Sequence, residues 1–313
     1  MELDSKIFVA GHRGLVGSSI VRKLNDLGYK NLIFKSKEKL DLRRQQDVEN
    51  FFNEEKPEYV FMAAAKVGGI AYNKKYPADF IYENLQIQNN VINSAYKNNC
   101  KKFLFLGSAC IYPKITPQPI KEEFLLTDTL EPTNEGYAIA KIAGLKMSKM
   151  YKEQYGFNVI SLMPANLYGI NDNFNIDQCH VIPAIINRFI SAKKDGVGEV
   201  VLFGDGTPTR EFLYVDDLAD ACVFLMNNYN DSDHINVGSS EEYSIKEISE
   251  IIAKKVGYNG TIVWDTSKPN GTPRRKLDNT KINNLGWEPS VTLDEGLDRT
   301  IAWYLETGGV RNV

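Results

Sequence analysis

The chain of 313 residues sets 37 Lys and Arg against 40 Asp and Glu for a net charge of −3, which removes the electrostatic basis for nucleic acid or an anionic membrane as its main partner. Its 43% hydrophobic and 25% charged residues are the composition of a globular protein, and no apolar run approaches the ~20 residues of a membrane span. Four cysteines without C-x-x-C spacing, at positions 100, 110, 179 and 222, and an N-terminus that lacks the pattern of a signal peptide, lead to the expectation of reduced thiols and a cytoplasmic location.

In chain order, "KIFVAG", "NLIF", "YVFMAAA", "KFLFLGS" and "NVISLMP" are short apolar runs expected to be strands. Between them "GSSIVRKLNDLG", "QQDVENFFNEEKP", "YENLQIQNNVINSAYKNN" and "YAIAKIAGLKMSKMYKEQYG" carry helical periodicity. This alternation predicts an α/β fold with a Rossmann-type, doubly wound parallel sheet. After residue 170 the rhythm changes: a polar loop leads into the helix of "HVIPAIINRFI", "EVVLFGDG" reads as strand and turn, and "HINVG" as a strand free to rejoin the first sheet. The expected division is residues 1–170 plus about 211–240 for a dinucleotide domain, and about 171–210 plus 241–313 for a smaller, discontinuous substrate domain.

"FVAGHRGLVGSSI" places Gly11, Gly14 and Gly17 between the first strand and the first helix. Glycines there let the backbone approach a pyrophosphate that the helix N-terminus stabilises, although a plain strand-to-helix turn would use the same residues. Lys35 and Lys37 stand where an acidic residue would take a ribose diol, and with Arg13 they suit a 2′-phosphate and favour NADP(H), although solvated surface lysines would read the same. Asp41 and Leu42 follow, placed to frame an adenine. Further on, Tyr137 and Lys141 lie one helical turn apart, so an ammonium stands by a phenol and is expected to lower its pKa. Ser108 ends the fourth strand, and Cys110 is expected on the same side of an extended tip. Cys179 and His180 bring no ligand set with zinc spacing, and no metal is expected.

The glycine turn together with Ser108, Tyr137 and Lys141 resembles the extended short-chain dehydrogenase/reductase family. "AAAKVGGI", Asn84, "YPADFI", "LGSACIYPK", "EPTNEGYAIAKIAG", "NLYG", "HVIPA" and "GTPTREFL" extend the resemblance over nearly the whole chain. They narrow it to the nucleotide-sugar branch, and within that to 3,5-epimerase-4-reductases acting on GDP-4-keto-6-deoxy-D-mannose. The resemblance implies Cys110 as the base and His180 as the acid of epimerisation. For the reduction that follows, it implies that Ser108 holds the carbonyl oxygen, Tyr137 donates a proton, and Lys141 tunes Tyr137 and binds the nicotinamide ribose. It implies a cofactor site made of Gly11, His12, Arg13, Gly14, Leu15, Val16 and Gly17, then Lys37, Asp41, Leu42, Leu106, Gly107 and Lys141, and finally Pro164, Ala165, Asn166, Leu167 and His180. Arg188, Phe203, Arg210 and Asp278 are the implied GDP-sugar contacts, and a homodimer through the helices of Asn84 and Tyr137 is implied as well.

Phe203 stands where that family often has Trp, which bears on how the guanine or sugar packs. Gly136 and Ile170 stand where it often has Pro, read here as a matter of loop stiffness. A nucleotide-sugar 4,6-dehydratase would be expected to replace Ser-Ala-Cys with Thr and acidic residues, and a 4-epimerase has no need of Cys110 and His180. A non-catalytic NADP sensor would have no need of Tyr137 or Lys141.

Overall fold

The computed structural model describes residues 1–268 and 270–311; Pro269, Asn312 and Val313, which belong to the expected second domain, lie outside the described residues. In chain order the first part runs β1 (Ile7–Ala10), α1 (Leu15–Asp26), β2 (Leu32–Ile33), α2 (Gln45–Glu55), β3 (Tyr59–Met62), α3 (Ile70–Lys75), α4 (Pro77–Lys97), β4 (Lys102–Leu106), α5 (Glu135–Tyr155) and β5 (Val159–Pro164). β1, β4 and β5 are buried along their whole length. Continuous apolar runs rather than alternating ones are what a parallel sheet covered on both faces requires. α4 starts earlier than its apolar stripe suggests, because the fixed φ of Pro77 suits a first helical turn.

The second part runs β6 (Asn166–Tyr168), α6 (Val181–Lys194), β7 (Glu199–Phe203), β8 (Thr209–Arg210), β9 (Phe212–Tyr214), α7 (Val215–Asn228), β10 (Ile235–Val237), β11 (Tyr243–Ser244), α8 (Ile245–Val256), β12 (Thr261–Asp265), β13 (Arg274–Arg275), α9 (Thr280–Asn284) and α10 (Leu293–Thr307). β10 does rejoin the first sheet, whose order is β10-β5-β4-β3-β1-β2. Every pairing within that sheet is parallel. α2, α4 and α5 pack side by side on one face, while α1 and α7 pack together on the other.

A second hydrophobic core gathers Ile182, Ile186 and Phe189 of α6, Ile248 and Ile252 of α8, and Leu297 and Ile301 of α10. Tyr168, Phe212 and Tyr214 of the β6/β9 ladder face it too. α8 opens on a capping box, in which Ser244 accepts from the Glu247 N–H and the Glu247 carboxylate accepts from the Ser244 N–H. Lys102 at the start of β4 is buried, and its ammonium donates to the carbonyls of Leu225, Met226 and Tyr229 at the end of α7. Burial pushes this lysine down to about 8, and the carbonyls satisfy the charge it retains below that. Among the described residues no helix is long and apolar enough to cross a membrane.

Candidate active site

At the C-terminal end of β1 the glycine turn closes tightly. Gly11 has φ +84°, and a Cβ on it would lie 2.8 Å from the Ala64 backbone, while a Cβ on Gly17 would fall 2.1 Å from the Gly11 carbonyl oxygen. α1 then begins at Leu15, with Val16 and Gly17 in its first turn; no side chain caps it and no acid stands in that turn. The free N–H groups and the dipole are therefore directed at an anion site with no capping side chain among the described residues, and this cradle fits a dinucleotide pyrophosphate.

Beside the cradle, the His12 ring stacks on Phe34 with 4.9 Å between centroids. Partial burial, helped by the Arg13 charge, lowers the His12 pKa. Arg13 lies 3.6 Å from Glu38, whereas Lys35 is turned to Glu55 at 3.2 Å and so is committed to α2. Asp41 is gripped by Arg43 through bonds of 2.9 and 2.7 Å, which hold its carboxyl down at about 2. The Leu42 carbonyl accepts from Asn90 on α4.

β4 and β5 end on the same edge of the sheet. After Leu106 and Gly107 the chain does not continue as a strand: Ser108 caps a 3-10 turn over Ala109–Ile111, its hydroxyl accepting from the Cys110 N–H at 3.2 Å. The expected extended tip is therefore incorrect, and the turn rather than strand alternation brings Ser108 and Cys110 together. Arg275 secures the turn by donating to the Ala109 carbonyl at 2.9 Å. Gly136, expected to matter for loop stiffness, lies inside α5, where a Cβ would meet the Pro77 carbonyl at 2.8 Å. It lets α5 approach α4 and sets Tyr137 over the turn.

The phenol stands within reach of the Ser108 hydroxyl, and the Tyr137 ring packs edge-on to Phe80. Burial raises the Tyr137 pKa, the Cys110 charge adds to this, and the Ser108 hydrogen bond opposes it. The expected lowering by Lys141 does not appear. Lys141 is itself buried, and its ammonium donates a hydrogen bond to the Leu106 carbonyl at 2.6 Å and lies 5.9 Å from the Tyr137 ring centre. Burial pushes this lysine down to about 8.

His180 caps α6 and follows a loop docked on the glycine pair of "KVGGI". The Gly69 N–H donates to the Gln178 carbonyl at 2.8 Å, and a Cβ on Gly69 would fall 2.4 Å from the Cys179 oxygen. His180 is exposed, yet desolvation by the protein around its imidazole lowers its pKa. Asn84 fixes the other side of the pair, accepting from the Lys66 N–H and donating to its carbonyl. Asn171, in the left-handed region with φ +69°, donates to the Arg13 carbonyl and the Ser18 hydroxyl, tying this loop to the glycine turn. Gly69→Ala is expected to cost ~1–3 kcal/mol by overpacking and to speed amide exchange at Cys179 and His180. An unchanged urea midpoint with unchanged exchange would show that the close approach is not needed.

The model of the NAD dependent epimerase/dehydratase family matches residues 7–238. The chain belongs to the NAD dependent epimerase/dehydratase family. It is similar to GDP-L-fucose synthase 1 of Arabidopsis thaliana, 59% identical over 303 residues that cover 97% of this chain and 94% of the relative. Against the GDP-L-fucose synthase of Escherichia coli (strain K12) the identity is 48% over 310 residues, covering 96% and 97%. Among solved structures, the GDP-mannoheptose C4 reductase of Campylobacter jejuni with NADP bound superposes with a TM-score of 0.90 at 40% identity, covering 97% and 99%.

The remaining expected residues of this epimerase/dehydratase chain are spread more widely. Pro164 ends β5, the Ala165 N–H donates to the Val237 carbonyl, and Asn166 donates to the Glu211 carbonyl through both backbone and side chain, which orders the turn before Leu167. Arg210 is half-buried with Arg275, Cys110 and Glu131 around it, and desolvation lowers it to about 10. Arg188 lies instead in an open groove of about 770 Å³, donating to the Val201 carbonyl with its guanidinium 5.0 Å from the ring centre of the exposed Phe203. The Asp278 carboxylate accepts from the Thr280 N–H at the start of α9, whose N-cap is Asn279. Sequence reasoning missed Arg275, Asn171 and the docking role of the glycine pair; "KVGGI" was legible only as part of a resemblance. Among the described residues no three His, Cys, Asp or Glu side chains gather as a metal site would need.

Proposed function

We propose that the chain is a GDP-L-fucose synthase, epimerising GDP-4-keto-6-deoxy-D-mannose at C3 and C5 and then reducing C4 with NADPH. The observation that carries this reading is the 3-10 turn that sets Cys110 beside the Ser108 and Tyr137 pair of a reductase. It is supported by curated relatives of 48% and 59% identity that bear this activity in their names. Residues 1–170 plus about 211–240 would hold the cofactor, and about 171–210 plus 241–313 the GDP-sugar, with Arg188, Phe203, Arg210 and Asp278 as its assigned contacts.

The C4 ketone makes the protons on C3 and C5 acidic, because the enolate charge falls on the carbonyl oxygen. Cys110 takes such a proton on one face of the sugar, and His180 returns one on the other. The lowered pKa of His180 makes its imidazolium a stronger acid but a less populated one at neutral pH, so it takes up from solvent the proton it delivers. Ser108 and Tyr137 donate to the C4 oxygen, and NADPH, when bound, supplies hydride to C4. Tyr137, whose raised pKa keeps it protonated, then gives its proton to the C4 alkoxide. Lys141 holds the nicotinamide ribose and places a positive charge under the phenol. A homodimer through α4 and α5 completes the proposal.

Fresh substrate should consume NADPH and yield GDP-L-fucose; absence of absorbance loss would overturn the assignment. A pure C4 reductase, as the Campylobacter relative is named, would consume NADPH without exchanging the C3 and C5 protons with solvent. The pH dependence follows from Lys141: its pKa is lowered to about 8, so its ammonium is present below that and lost above. kcat/KM for reduction of the epimerised ketone should therefore fall as pH rises through about 8. A profile level across that pKa would remove the lysine charge from the reductive step.

A further inference from the structure

We propose that Asn134 is the positioning residue for the Cys110 sulfur in epimerisation; this rests on the reading of Cys110 as the base. The Asn134 Nδ2 donates to Cys110 Sγ at 3.2 Å, a direct contact across 24 positions of sequence. The amide is held from several sides. Asn134 ends the 3-10 turn Pro132–Asn134, its N–H donates to the Glu131 carbonyl at 3.2 Å, and the Glu131 side chain accepts from the Thr133 N–H. Glu131 is fixed in turn by Lys114 at 3.2 Å. The turn packs against α3 and leads directly into α5, so Cys110, Tyr137 and Lys141 are referenced to one rigid piece of chain.

Asn134 Oδ1 is buried and has no partner among the described residues. The amide N–H is committed to sulfur, and N–H donation suits a sulfur that carries negative charge during proton abstraction. Arg210 adds positive charge near the sulfur, but its Nη1 is spent on the Thr209 carbonyl. The aim therefore comes from Asn134 and the field from the arginine.

The test uses the full chain with Asn134→Ala, Asn134→Asp and, as reference, Cys110→Ser. Three readouts are taken: deuterium incorporation at C3 and C5, NADPH-dependent reduction of the already epimerised ketone, and the iodoacetamide labelling rate of Cys110 read by peptide mass. Both Asn134 variants should lose exchange by ~10-fold or more, which is what a hydrogen bond to a charged group is worth, while reduction stays near parental. The ionised aspartate presents only acceptors to the sulfur, so Asn134→Asp should also label more slowly than the parent. Parental exchange in both variants, or equal loss of exchange and reduction, would overturn the proposal. Parental exchange in Cys110→Ser would overturn the assignment of the base itself, and with it the role of Asn134, by a result that the Asn134 variants do not produce.

Discussion

Replacing Cys110 by Ser should lower solvent exchange at C3 and C5 by ~10²-fold or more, the usual worth of a positioned general base, while NADPH binds as before. An alcohol in place of the thiol keeps the 3-10 turn, because the turn is made by the Ser108 hydroxyl, the Cys110 backbone N–H and Arg275 rather than by sulfur. The glycine cradle belongs to β1 and α1 and is untouched. The same variant should reduce the already epimerised ketone nearly as well as the parent, since Ser108, Tyr137 and Lys141 remain. Deuterium incorporation followed by mass spectrometry separates these effects. Exchange at the parental rate would take the base role away from Cys110.

Tyr137→Phe is the complementary experiment. The ring that packs against Phe80 is retained, so the fold should hold. Loss of the phenolic proton should slow reduction by ~10²–10⁴-fold, the range for a general acid. Exchange should suffer much less, because the Ser108 hydroxyl still donates to the enolate oxygen. Loss of exchange and reduction in equal measure would mean that the phenol also carries enolisation.

The sheet was legible because a buried parallel strand must be apolar on both faces, and β1, β3, β4 and β5 are written as such runs. β10 was legible as the short run "HINVG", although its middle residue Asn236 is polar and is satisfied by the Tyr112 hydroxyl and the Ile120 carbonyl. Legibility failed where a contact rather than a pattern sets the structure. Ser108 caps its own turn, so counting residues along an extended strand gave the right neighbours by the wrong geometry. Gly136 looked like a loop residue, yet its role is fixed by a carbonyl 59 positions earlier in the chain, at Pro77. A buried lysine such as Lys102 is unreadable in the same way, because its partners are three carbonyls at the end of a helix more than a hundred residues away. The phenol of Tyr137 was misjudged because proximity in sequence suggests a charge effect, whereas burial is the larger influence.

β10 has a bearing on how the molecule is made. It supplies the sixth strand of a sheet whose other five are complete by Pro164, and it pairs along β5. During synthesis the outer edge of β5 therefore emerges with its N–H and C=O groups unpaired, and it stays open until chain beyond residue 237 has left the ribosome. Non-local parallel pairing of this kind is slow to form. The window in which nascent chains can pair edge to edge thus spans the synthesis of α6 and α7, and a chain ended within α7 would keep that edge open for its lifetime.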